Sequence, residues 1–238
     1  MKLVLHNYWR SSASQRVRIA LNLKKLAFEY VSVNIVADEN HGDAYRAKNP
    51  QMQVPTLEII EDDGSSWRLT QSIAILEYID ERWPEPMILP LTPPLMAPTK
   101  QMDLQMAFLR ARSRAMAEII NSGIQPLQNL STTRAIKKLG GDDAAWPKPW
   151  IANGLAAYAA LVADTYNQHG GYKPEMFSSG DVPTVADICL IPQLASARRF
   201  GVDYAQHEIL VQIEKNCMAM PEFANAVPDV QPDAPKEK

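Results

Sequence analysis

The chain has 238 residues, a formal net charge of −3 and a pI near 5.8. That length supports one large domain or two small ones, and the charge gives no general argument for nucleic-acid binding. Cys189 and Cys217 are the only cysteines, too few for a disulfide-stapled fold, a CxxC redox pair or a zinc ligand set. No apolar run approaches a membrane span or a signal peptide, so a soluble cytoplasmic protein without a metal is expected.

In chain order, residues 3–5 form the first strand candidate. Residues 16–26 carry the apolar spacing of a helix, with Val17, Ala20 and Leu21 on one face. Residues 28–35 (FEYVSVNI) are rich in β-formers and read as a second strand. Residues 43–48 suit a short helix that stops before Asn49-Pro50. Thr56–Ile60 and residues 67–70 read as strands either side of an EDDGSS turn, and residues 72–83 as a helix. The β-α-β-α-β-β-α order implies a small sheet covered by helices, its first two strands parallel.

Residues 83–98 (WPEPMILPLTPPLMAP) hold six prolines in sixteen residues, which excludes a regular helix or central strand. The reading is therefore an α/β domain over residues 1–85, a linker over 86–98 and an all-helical domain over 99–238 with a polar, frayed tail. Within the last, helices are expected at residues 99–120 and 150–169, at Val185–Arg199 and at Glu208–Met218, with a loop or short turns at 134–149. The Met96, Met102, Met106 and Met116 group suits a core or subunit interface. His6, His169 and His207 show no partner pattern and read as structural or surface residues.

Four stretches carry candidate chemistry. Ser11 and Ser12 stand at a helix start, and six basic residues but no acidic one precede Glu29. Serine is a good N-cap, while the same helix end favours an anion through its partial positive charge and unpaired N–H groups. A thiolate held there would have to arrive with a ligand, since this stretch has no cysteine. Gln53-Val54-Pro55-Thr56 precedes a strand; a proline there suits a cis bond, and an extended Val54 could offer its N–H and C=O to a peptide-like ligand. Gln71-Ser72 opens the next helix, with Ser72 as its cap or as a carboxylate site. Thr184 and Asp187 form a capping box behind Pro183 and belong to folding.

Taken together and in this order, these features resemble the glutathione transferases, in which a thioredoxin-like domain precedes an all-helical one. SSxSxRVRIAL, NPQMQVPTL, QSIAILEYIDE, SGIQPLQNLS, ADICLIPQLASARRFGVD and the late QPDAP resemble the zeta class, which includes the maleylacetoacetate isomerases. The resemblance implies glutathione as cofactor, bound near Ser11, Ser12, Ala13 and Arg16. It implies Gln53, Val54 and Pro55 at the cysteinyl unit, Gln71 and Ser72 at the γ-glutamyl end, and Asn40 or its neighbour His41 at the glycyl end. Gln125, Asn129 and Ser131 would close the site. Ser11, Ser12 and Arg199 would be catalytic, the arginine holding a substrate carboxylate.

The implied reaction is cis–trans isomerisation of a maleylacetoacetate- or maleylpyruvate-type dicarboxylate by thiolate addition, rotation and elimination, in a homodimer. The alternatives are a transferase acting on α-halo acids or other electrophiles, with weak peroxidase activity, and a non-catalytic interaction module of the same fold. Two positions depart from the class pattern. Ala13 stands where it usually has cysteine and Gln15 where it often has an aromatic or histidine. The methyl of Ala13 disfavours thiol–disulfide chemistry and leaves isomerisation possible.

Overall fold

The computed structural model describes residues 1–89, 100–167 and 171–235, with side chains from 104 onward in the helix beginning at Lys100. The chain forms two compact units: Met1–Pro86 together with Pro221–Lys238, and Met87–Met220. The polar tail expected at the end of the helical domain thus belongs with the first unit. Most of the expected linker, from residue 90, and His169, Met96 and the Met102 side chain lie outside the described residues.

In the first unit the strands are β1 (Lys2–Asn7), β2 (Glu29–Ser32), β3 (Thr56–Ile60) and β4 (Ser66–Thr70), in the order β2-β1-β3-β4. β1 pairs parallel with β2, as the crossover through α1 requires, and antiparallel with β3, which forms an antiparallel hairpin with β4. Leu3, Val4 and Leu5 of β1 are all buried, so this strand is covered on both faces. Helix α1 (Ser12–Leu23) starts four residues before the apolar periodicity does, because Ser11 and not the first apolar residue sets its beginning. The short α2 is Asp43–Arg46, preceded by a 3-10 turn at Glu39–His41, and α3 (Ser72–Arg82) packs beside α1.

His6 has a partner that the sequence did not disclose. Its Nε2 lies 3.2 Å from Glu58 Oε2, and Lys48 Nζ and Arg68 Nε donate to the same carboxylate at 3.2 and 3.0 Å. Burial alone would raise the Glu58 carboxyl, but the hydrogen bonds from His6, Arg68 and Lys48 outweigh it and hold it at about 2.

The second unit is helical: α4 (Lys100–Glu118), a π-turn (Ile119–Ile124), α5 (Gln125–Gln128), α6 (Leu130–Lys138), α7 (Pro147–Asn167), α8 (Val185–Arg199) and α9 (Glu208–Met218). Helix α6 occupies part of the stretch read as loop. It is exposed at Arg134, Ala135 and Lys137, and Leu130 and Ile136 are the only large apolar residues in its nine positions. Helix α8 is the centre of this unit, with every residue from Val185 to Leu194 buried. Helix α7 runs so close to the π-turn that a Cβ on Gly154 would lie 2.4 Å from Ile124 side-chain atoms. The chain returns to the first unit as the short α10 (Pro221–Ala224) and a 3-10 turn at Pro228–Val230.

Candidate active site

Ser11 caps α1. Its extended backbone (φ −70°, ψ 117°) and side-chain oxygen, 3.2 Å from the Ser14 N–H, meet the requirements of an N-cap. The first turn has no acidic residue. Among the described residues, nothing accepts from the Ser12 and Ala13 amides. Ser14 Oγ and Gln15 Nε2 are buried there without a hydrogen-bond partner among the described residues, Gln15 being 2% exposed. A buried polar group left this way costs about 1–3 kcal/mol, so the helix start has the polar capacity for a ligand.

The other candidates of this unit are tied to that helix start. Arg16 of α1, 1% exposed, donates from Nη1 to Ser72 Oγ at 3.0 Å. Ser72 is the first residue of α3 and not its cap; the cap position is Gln71, whose side chain makes no capping bond. Gln71 has φ 67° and ψ 114°, a conformation costing a non-glycine residue on the order of 1–3 kcal/mol. Its Nε2 donates to Gln51 Oε1, which reaches the stretch before β3.

That stretch is held by its carbonyls. Met52 O accepts from Asn40 Nδ2 at 2.8 Å, and Gln53 O from Tyr45 Oη at 2.8 Å and Asn49 Nδ2 at 2.6 Å. The Val54–Pro55 bond is cis. Asn40 is 8% exposed and its Oδ1 has no partner among the described residues, so the open atom is an acceptor and suits an N–H rather than a carboxylate. His41, exposed and 3.5 Å from Asp38, is better suited to a carboxylate when protonated.

In the second unit, Gln125, Asn129 and Ser131 lie within one short run. Asn129 caps α6, its Oδ1 accepting from the Ser131 N–H at 3.4 Å. The run is anchored by residues that sequence reading did not single out. Gln128 and Gln193 exchange two side-chain hydrogen bonds of 2.8 and 3.0 Å, joining α5 to α8. Trp146 Nε1 donates to Leu127 O at 3.1 Å, and Thr132 Oγ1 to Pro126 O at 2.7 Å. Arg199 ends α8, exposed, with its guanidinium 4.5 Å from the Phe200 ring centroid.

Residues 5–87 match the family described as glutathione S-transferase, N-terminal domain. Maleylpyruvate isomerase from a Ralstonia species is 38% identical over 97% of this chain and 99% of its own. Maleylacetoacetate isomerase from Anaeromyxobacter dehalogenans, solved with glutathione in its active site, is 45% identical with a TM-score of 0.80 over 98% of both chains. The chain belongs to the zeta-class glutathione transferases. A solved maleylpyruvate isomerase described as a bacterial glutathione transferase of the zeta class is 35% identical, with a TM-score of 0.81 over 98% of this chain and all of that one.

This transferase has a fold that its motifs outline, but the parts that hold those motifs in place were harder to read. Gln128 and Gln193 are 65 residues apart, and single glutamines on separate helices have no spacing signature. Among the described residues no helix is long and apolar enough to cross a membrane.

Proposed function

We propose that the protein is a glutathione-dependent cis–trans isomerase of maleylacetoacetate- or maleylpyruvate-type dicarboxylates. The observation that carries this reading is the start of α1: a serine cap, two amides open to an anion and no acidic residue in the first turn. Glutathione, when bound, supplies a thiolate nucleophile that turns the substrate's double bond into a rotatable single bond.

On this reading the chain's own residues do the following. Ser11 Oγ accepts from the Ser14 N–H, and its hydroxyl hydrogen donates to the sulfur anion, favouring the thiolate. Ser12 assists at the same helix end, while Ala13 contributes no reactive group. Val54 offers its backbone to the cysteinyl unit, Gln71 and Ser72 receive the γ-glutamyl end, and Asn40 and His41 meet the glycyl end. Gln53, Pro55 and Arg16 shape these contacts. Arg199 presents a planar cation to a substrate carboxylate, with Gln125, Asn129 and Ser131 orienting the substrate. A cytoplasmic homodimer goes with this reading on the family's pattern alone.

The test is turnover of maleylpyruvate or maleylacetoacetate with and without glutathione. The expected result is isomerisation that requires glutathione and falls about 100-fold in Ser11→Ala, whose stability drops by only ~1 kcal/mol with loss of the cap. Turnover of an α-halo acid with no isomerisation would replace this reading with the transferase alternative. No turnover of either would leave the non-catalytic module.

A further inference from the structure

The turn that delivers Ser11 is fixed by a residue more than 200 positions later in the chain. Residues 8–11 close on a bond from the Ser11 N–H to Tyr8 O of 3.0 Å. The backbone N–H and C=O of Trp9, one of the turn's two central residues, are held by two side chains. Trp9 N–H donates to Asp233 Oδ2 at 3.1 Å, and Trp9 O accepts from Arg18 Nη2 at 2.9 Å. Arg18 Nη1 also reaches Tyr8 O at 3.4 Å and Asn7 Oδ1 at 2.9 Å.

Both side chains are braced. Asp233 accepts from Ser32 Oγ at 2.8 Å and from Tyr30 Oη, two residues of β2 in register with Asn7 and Leu5 of β1. Arg18 is 1% exposed and donates from Nε and Nη2 to Ala226 O at 3.2 and 3.1 Å. Burial pulls its guanidinium down to about 10, while Tyr30 and Asp233 oppose the shift. Asp233 therefore ties β2, the tail and the turn together and lies in the field of the buried cation.

We propose that Asp233 is a positioning residue for the Ser11 hydroxyl, acting through the Trp9 amide. The proposal rests on Ser11 as the donor to the glutathione thiolate. A donor displaced by a fraction of an ångström loses much of its effect on a reacting atom. The charge itself would act in the opposite direction. Removing a carboxylate near the helix start favours a thiolate, so its loss alone lowers the bound thiol's pKa, whereas displacement of Ser11 raises it.

The test uses the full chain with glutathione. The bound thiol is titrated by its thiolate ultraviolet absorbance, and kcat and KM are measured with maleylpyruvate. Amide exchange is followed at residues 9–12. In Asp233→Ala the thiol pKa rises by about half a unit, leaving about threefold less thiolate at low saturation. There kcat falls about tenfold while KM for glutathione stays within about threefold, and exchange at residues 9–12 quickens. Asp233→Asn, which keeps one acceptor oxygen, gives a smaller rise of the same sign, and decides by the same criterion if the alanine variant does not fold. Gln231→Ala loosens the same tail by removing its bonds to Asn225 O and Val227 O, and leaves thiol pKa and kcat unchanged.

A thiol pKa that stays or falls in both Asp233 variants overturns the proposal, as does a Gln231→Ala variant that reproduces the loss. Wild-type protein that depresses the thiol pKa but isomerises nothing ends the isomerase reading and leaves the proposal standing on the titration. A wild-type thiol with its free-solution pKa ends both.

Discussion

Helices α1 and α8 both begin at a hydroxyl cap, yet they treat their free amides differently. At α8 every early donor is used. Val185 N–H goes to Ile88 O at 2.7 Å, and the Thr184 side chain accepts from the Ala186 amide and closes a capping box with Asp187. The Asp187 carboxylate occupies the positive end of the dipole, accepting from the backbone N–H groups of Ser178 and Thr184, both at 2.8 Å. At α1 the cap satisfies Ser14, while the Ser12 and Ala13 amides remain open among the described residues and the first turn carries no acidic residue. The same local physics therefore makes a sealed joint in one unit and a place for an external anion in the other. A capping hydroxyl alone does not distinguish them; the residue three positions later does.

The largest expected effect is at the sealed end. Asp187 is 0% exposed, and Asp187→Ala would leave the Ser178 and Thr184 amides buried without acceptors. The expected cost is about 3–5 kcal/mol, read as a lower urea midpoint at unchanged m. Ser11→Ala costs only ~1 kcal/mol on the same scale, because its helix end is half-exposed and open. Equal losses at the two caps would erase the contrast.

How far the sequence revealed these two ends follows from the range of the interactions. Thr184-x-x-Asp187 is a local motif, and its bonds lie where the spacing puts them. Thr56–Ile60, Val185–Arg199 and Glu208–Met218 also have their expected bounds, since apolar period and stop signals agree there. Helix α1 starts before the expected residue 16 because Ser14 and Gln15 are buried polar residues, which an apolar pattern counts as surface. Of the two readings of Ser72, as cap or as carboxylate site, the cap does not hold: the strained Gln71 takes that position and Ser72 accepts from Arg16. The Glu58 cluster, the Gln128–Gln193 pair and the Asp233 brace join residues distant in sequence, so no short-range spacing encodes them. The tail's polar, proline-rich composition suggests a frayed end, and residues 236–238 lie outside the described residues; Asp233 before them is bonded to β2 and to the Trp9 amide.

Acid titration separates carboxylates of the two units by sign. Glu58 has its carboxyl lowered from 4.5 to about 2, so its stabilisation is complete above pH 4.5 and is lost as pH falls toward 2. Its contribution is about 3 kcal/mol. His6 is lowered from 6.5 by burial, so acidification costs stability from about that pH downward. Asp187 is raised by burial, with its hydrogen bonds opposing, so protonating it does not add to the acid loss. Thermal unfolding from pH 7 to pH 2.5 should show a decline beginning near 6.5 and steepening below 4.5. Glu58→Gln should lower stability at pH 7 and flatten the steeper part. An unchanged acid limb in that variant would mean that the cluster's charge does not stabilise the fold.

The smallest expected effect comes from making α1 resemble α8. Ala13 is half-buried in the first turn, next to two open amides. An aspartate there meets the positive end of the helix and should stabilise the protein by about 0.3–1 kcal/mol. The same charge should repel the glutathione thiolate. After solvent screening the penalty is ~1.4 kcal/mol, equivalent to about tenfold weaker binding of the thiolate form and a higher bound thiol pKa. Ala13→Asn offers a similar side chain without the charge and should leave binding within about threefold. Calorimetric titration with glutathione and a melting curve on both variants check the two halves together. Stability and affinity moving in opposite directions is the outcome expected if this helix end is kept open for an external anion. If Ala13→Asp binds glutathione as tightly as the wild type, the open amides of α1 are not where the thiolate is held.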